Sequence, residues 1–244
     1  MPSVVTEVTR ALQGEGIDLA ALGLAWARAT PTVALVPAFG LKALPQAARA
    51  VVALALAVAV YPALQPAVAA AANAPWPLLL VGEVLAGLPV AIAAAVPLWA
   101  ATMAGGLVDA LRGAQAEREV SVVEGRASVL GAPLSILASC IFLASGGPAR
   151  VAAALASRPL GAHPIAAAAR DLAGGVGVAV SIGGPLLAAA LILEVGAAVI
   201  ARAASPAQLG PLLAPLRALA LLSVMAVVLE RVAGIIALTI HASP

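Results

Sequence analysis

The sequence predicts an all-α, polytopic membrane protein of about six hydrophobic helical segments, Pro- and Gly-broken and arranged as helical hairpins. Three observations predict this. First, 63% of the 244 residues are hydrophobic and only 10% are charged, whereas a soluble domain carries about a quarter charged residues. A mean hydropathy of +1.10 leaves too little polar surface for a water-exposed sphere, so much of the chain must face lipid or protein. Second, the sequence holds several uncharged windows of about the 20 residues that cross a bilayer at 1.5 Å per residue. Third, those windows are continuously apolar, without the period-two alternation of outer-membrane strands.

The segments follow in order. Leu19 to Leu41 is apolar but carries Arg28. Ala50 to Ala72 is uncharged and interrupted by Pro62 and Pro66. Val84 to Val108 is uncharged, continues upstream past Glu83 to Trp76, and contains Pro89 and Pro97. Trp76 and Trp99 lie at the spacing of a span with an aromatic at each interface. Ala127 to Ala149 and Leu172 to Leu193 are uncharged, with Pro185 and Pro206 bounding the latter. Leu212 to Ile240 carries Arg217 and the Glu230–Arg231 pair. A proline inside an apolar helix frees a backbone carbonyl that neighbours must satisfy, so such helices are expected to be buried in protein. The glycines at 174, 175, 177, 183 and 184 let backbones approach closely. No Lys-Ser/Thr follows them and no strand precedes them, which argues against a phosphate loop.

The composition excludes several classes. A net charge of +2 is too small to argue for nucleic acid. The N-terminal stretch to Asp18 lacks the basic start and apolar core of a cleavable signal peptide, so insertion is expected to rely on the internal spans. Cys140, the single cysteine, lies in an apolar run and reads as inert packing. His163 and His241 are too far apart for a helical metal pair, and no nucleophile elbow occurs. No cofactor, metal or catalytic constellation is therefore expected. Basic residues after the first, third and fifth segments favour an outside N-terminus, although Arg150, Arg158 and Arg170 weaken the contrast.

Ions inside apolar segments carry more information, because a charge at the bilayer centre costs about 2.5 kcal/mol or more. Arg28, Glu83 and Glu194 are each expected to face another helix or a wet cavity and to pair there, with snorkelling to an interface as the plainer reading of Glu194. Asp109 to Arg126 concentrates seven charged residues in a short stretch. Asp109 and Arg112 stand three apart and share a helix face if the helix extends that far. A solvated hairpin loop is the alternative.

Five stretches together resemble the T-subunit family of the type III secretion export gate, known as SctT in injectisomes and FliR in flagella. They are an Arg-x-x-Pro element at Arg28 and Pro31, a Glu-x-x-x-Gly element at Glu83 and Gly87, and Gly105–Gly106 followed by Asp109, Arg112 and Gly113. The Gly146–Gly147 turn with Ser157 and Pro164 comes next, then a segment with Glu194 that runs into a break at Pro206. The resemblance covers roughly Ala27 to Arg231. The break departs from the family pattern by an added Ala207 and the absence of Asn, and Arg217 stands where Lys is usual. The Asp-x-x-Arg-Gly pattern and the Gly-Gly turn resemble the injectisome form more than the flagellar one.

The resemblance implies a multi-pass component of the bacterial inner membrane, in a hetero-oligomer with R, S and U subunits, through which unfolded proteins are exported. It implies one membrane domain over residues 1–244, R-subunit-like over 1–170 and S-subunit-like over 171–244. Arg28, Glu83, Asp109, Arg112 and Glu194 become expected inter-helix or inter-subunit contacts. Pro31, Gly87, Gly105, Gly106, Gly113, Gly146, Gly147 and Pro206 become expected backbone-shaping positions. The rival reading is a small proton-coupled secondary transporter, with Glu83 or Glu194 as the coupling carboxylate and the proline breaks forming a midplane site.

Overall fold

The computed structural model describes residues 14, 16–39, 45–70, 74–111, 118–119, 126–128, 130–157, 164–203 and 210–242. Seven helices account for nearly all of them: α1 (Leu19–Leu35), α2 (Gln46–Ala70), α3 (Trp76–Leu111), α4 (Gly131–Ala144), α5 (Gly147–Ser157), α6 (Pro164–Ala203) and α7 (Gly210–Ala242). A ribbon of β1 (Arg118–Glu119) and β2 (Arg126–Ala127) pairs antiparallel, Arg118 opposite Ala127. Two residues per strand leave the all-α class intact.

The six apolar segments correspond to α1, α2, α3, the α4–α5 pair, α6 and α7. Among the described residues four helices are long and apolar enough to cross a membrane alone, and α4 with α5, bent by 68°, adds a fifth if the pair is one span. The first segment is shorter than its apolar text. Val36 is extended (φ −82°, ψ 114°) because the ring of Pro37 disfavours helical backbone in the preceding residue. At the other end the Asp18 carboxylate accepts the N–H of Ala20 at 2.9 Å and caps the helix. Pro185, expected at a segment boundary, lies inside α6. Here the helix simply continues through the proline, and Pro206 lies outside the described residues. Trp99 also fails to mark an end, since α3 continues beyond it to Leu111.

α3 is the hub. α1, α4 and α6 pack along it, α2 closes on α1, and α7 closes on α6. Small side chains make the crossings close: Ala91, Ala94, Ala95 and Ala101 of α3 are fully buried, as are Ala25 and Ala29 of α1. Larger side chains such as Leu98, Val60, Phe142 and Val151 fill the space between these helices. The protein's two phenylalanines, Phe39 and Phe142, meet edge to face at 5.8 Å between centroids, an arrangement that adds about 0.5–1.5 kcal/mol beyond the area buried. Hydroxyls turn back onto their own helices: Thr102 donates to the Leu98 carbonyl and Ser181 to that of Gly177. Such i−4 bonds satisfy a polar group where water is scarce.

The α4–α5 elbow is built by adjacent glycines. Gly146 has φ +75°, a left-handed conformation that only residues without a Cβ adopt freely. A Cβ on Gly147 would lie 2.5 Å from the Phe142 ring, so the inside of the bend is already filled. Arg150, one turn into α5, donates to the Ile240 carbonyl at 2.8 Å and to the Ser145 hydroxyl at 3.3 Å. It thus satisfies an orphan carbonyl in the last turn of α7.

Candidate functional site: a buried ion pair and a helix joint

α1 presents Arg28 on the face that meets α3, and α3 presents Glu83 one turn before Gly87. Arg28 is 3% exposed and Glu83 4%. The Arg28 Nε donates to Glu83 Oε2 at 2.5 Å, and Nη1 donates to the Leu155 carbonyl at 3.0 Å. That carbonyl belongs to the last turn of α5, where no downstream helical N–H remains to bond it. One guanidinium therefore ties three helices that are far apart in sequence.

The backbone next to the pair is equally constrained. A Cβ on Gly87 would fall on the Arg28 carbonyl oxygen, well inside contact distance. α1 and α3 touch main chain to main chain at this point, and only glycine permits it. Pro31, three residues on, has no N–H, so the Ala27 carbonyl lacks its usual helical donor. Thr32 is fully buried, and its Oγ1 has no hydrogen-bond partner among the described residues. The i−4 carbonyl that a helical threonine normally uses is that of Arg28, which Gly87 packs against.

The second constellation lies at the other end of α3. Asp109, 1% exposed, accepts the backbone N–H of Leu130 at 2.6 Å, and the Ser128 hydroxyl accepts that of Gly131 at 3.0 Å. A carboxylate beside the unsatisfied N–H groups and positive dipole end of α4 is favourable. Gly105 seals the joint: a Cβ there would lie 2.6 Å from the Gly131 Cα. A Cβ on Gly131 would lie 2.6 Å from the Ser128 Oγ, and one on Gly106 would rest in ordinary contact with it.

The structure thus brings Arg28, Glu83, Pro31 and Gly87 together in one cluster, and Asp109, Gly105 and Gly106 in another. Gly146 and Gly147 form a third feature, the elbow. Arg112, Gly113 and Pro206 lie outside the described residues. Glu194 is exposed rather than buried, on α6 between exposed Ile192 and Val195, because α6 packs along the side facing α3 and α7; exposure agrees with the snorkelling reading of this residue. Cys140 is likewise exposed, on α4, rather than packed inside. Leu155, Leu130 and Arg150 went unnoticed in the sequence. The first two act through backbone atoms that carry no side-chain signature, and Arg150 read only as a loop charge.

Four or five apolar spans, a buried ion pair and glycine-only crossings define a multi-pass α-helical membrane protein in which polar groups lock helices together. The chain matches the family described as "Bacterial export proteins, family 1" over residues 19–242, and it belongs to that family. It is also similar to the "Secretion system apparatus protein SsaT" of Salmonella typhimurium (strain LT2), 42% identical over 73 residues. That match covers 30% of this chain and 28% of the relative's length.

Proposed function

We propose that this chain is the T subunit of a type III secretion export gate, sitting in the bacterial inner membrane and assembling with R, S and U subunits. Unfolded proteins pass through that assembly, and the chain contributes architecture rather than catalysis. One observation carries the reading: the export family covers residues 19–242, nearly the whole chain. The similarity to a named secretion-apparatus protein points the same way. The fold is compatible, because glycine contacts and a three-helix ion clamp set the helix crossings. In this reading residues 1–170 are the R-like part and residues 171–244 the S-like part, which takes in most of α6 and all of α7. Nothing in the family or the relative supports the transporter alternative.

The test is co-purification. An affinity-tagged chain, expressed with the R, S and U genes of its own locus, should pull down all three partners, and deleting it should abolish secretion until a plasmid copy restores it. Secretion that continues at normal levels in the deletion strain overturns the reading.

A further inference from the structure

We infer that a pocket where three helix ends converge binds the headgroup of a phosphoethanolamine lipid, with an acyl chain laid into the groove between α1 and α2. The pocket encloses about 470 Å³, enough for a phospholipid headgroup and glycerol and too little for a whole lipid. Its walls come from the N-terminus of α1, the later turns of α2 and the first turn of α3. Trp76 opens α3 and is half exposed, the usual position of an aromatic at a membrane–water boundary.

The lining is two-faced. Ala21, Leu24 and Leu79 make one wall apolar, and Asp18, Tyr61 and Gln65 make the other polar. The Asp18 N–H donates to the Tyr61 oxygen at 2.8 Å, so the phenol proton is free to donate elsewhere. Asp18 uses Oδ1 on Ala20 and is otherwise exposed. The wall therefore offers one carboxylate for a cation, and hydroxyl, amide and indole N–H donors for a phosphate. No Lys or Arg lines the pocket among the described residues. A purely anionic headgroup thus meets an uncompensated carboxylate, whereas a zwitterion with a primary ammonium matches both poles.

The chain's own geometry supplies a place for the tail. A second cavity of about 410 Å³ runs between α1 and α2, lined only by Leu19, Leu22, Gly23, Trp26 and the α2 residues Ala50, Val51 and Leu54. Gly23 lines this second cavity, and a Cβ there would lie 3.6 Å from the ring of Trp76, which lines the first. The polar site at the helix ends and the apolar groove on the outer side of α1 and α2 are therefore neighbours across the Trp76 ring.

The inference concerns a different part of the molecule from the gate contacts and stands apart from the proposed function. The test uses the full chain, or its complex with partners, purified in mild detergent. Native mass spectrometry would read lipid retention with phosphatidylethanolamine and phosphatidylglycerol at equal concentration. Soluble O-phosphoethanolamine, as competitor, separates headgroup recognition from tail binding. Asp18→Asn is the informative variant, since Asn still caps a helix while removing the charge.

Wild type should retain phosphatidylethanolamine about fivefold better, the scale of one partly exposed ion pair. D18N should lose that preference while keeping its melting temperature within about 2 °C, the shift expected of a few tenths of a kcal/mol. Equal retention of the two lipids by wild type overturns the inference, and so does an unchanged preference in D18N. A co-purifying peptide in place of lipid overturns it as well. If D18N fails to fold, Gln65→Glu, which adds a second carboxylate to the same wall, must raise the preference.

Discussion

Arg28 and Glu83 are the two residues whose loss is expected to be felt most. Each is buried, and each keeps the other's charge tolerable. Removing one partner of such a pair costs about 3–5 kcal/mol, because the survivor is left ionised and unpaired. Arg28→Ala and Glu83→Ala should therefore each unfold at markedly lower denaturant in a detergent titration. The double variant Arg28→Met/Glu83→Leu should recover most of the loss, although not the bond from Arg28 to the Leu155 carbonyl. A double variant as unstable as the sum of the single ones would show that the pair is not the unit of stability. Gly87 is coupled to the same spot. Gly87→Ala pushes a methyl into the Arg28 carbonyl and must separate α1 from α3, at a cost of about 2 kcal/mol or more. Gly174→Ala is the control, because nothing lies within 4 Å of a Cβ at that position. There the intrinsic helix preference for alanine, up to about 1 kcal/mol, should leave stability unchanged or slightly raised. Sequence reasoning found all of these residues except Thr32 and Leu155. A charge in an apolar run is conspicuous, whereas its partner, 55 residues away, is fixed only by how the helices cross.

At the scale of elements, the joints decide the shape. Asp109 links the end of α3 to the start of α4 through a backbone bond. Asp109→Ala strands the Leu130 N–H and should cost about 1–3 kcal/mol. Asp109→Asn retains an acceptor and should lose less than half of that. Limited proteolysis across residues 112–129 reads the difference, with cleavage faster in the alanine variant. The elbow gives a second prediction. Gly146→Ala forces a side chain into the left-handed region at about 1–2 kcal/mol, and Gly146→Asn, which tolerates that region better, should sit between the two on a thermal melt in detergent. The hydropathy pattern located the apolar segments because transfer to lipid demands apolar length. It misjudged their ends because a helix is extended by backbone bonding, which Arg170, Asp171, Glu194 and Arg202 do not interrupt in α6. The 68° bend was foreshadowed by the glycine pair, Gly146 and Gly147.

On the scale of the whole molecule, burial is uneven. Half of the most apolar window of α3 is buried, against 18% for α6 and 22% for each of α2 and α7. The outer sides of α6 and α7 carry Val176, Leu191, Val199, Val227 and Leu238, all strongly exposed. Contiguous apolar surface of this kind is a docking face or a lipid face. If partner subunits cover it, the chain expressed alone should be degraded faster in cells than the chain expressed with R and S, which pulse-chase immunoblotting would read as a shorter half-life. Equal half-lives would assign the surface to lipid. The sequence announced a membrane protein plainly, but which helix is the hub was not legible there. α3 and α6 are equally apolar by mean hydropathy, 2.2 for each, and only packing separates them.

The reach of α3 has one more consequence. Its 36 residues extend about 54 Å at 1.5 Å per residue, while the hydrocarbon layer is about 30 Å thick. Leaning alone would require an inclination of about 55° from the bilayer normal, beyond the 0–40° observed for spanning helices. An upright rod instead leaves roughly 24 Å of greasy helix jutting from the oil by the same arithmetic. Protein must sheathe that stub, and α1, α4 and α6, which lie along α3, supply part of the cover, so the bilayer cannot be this helix's only solvent.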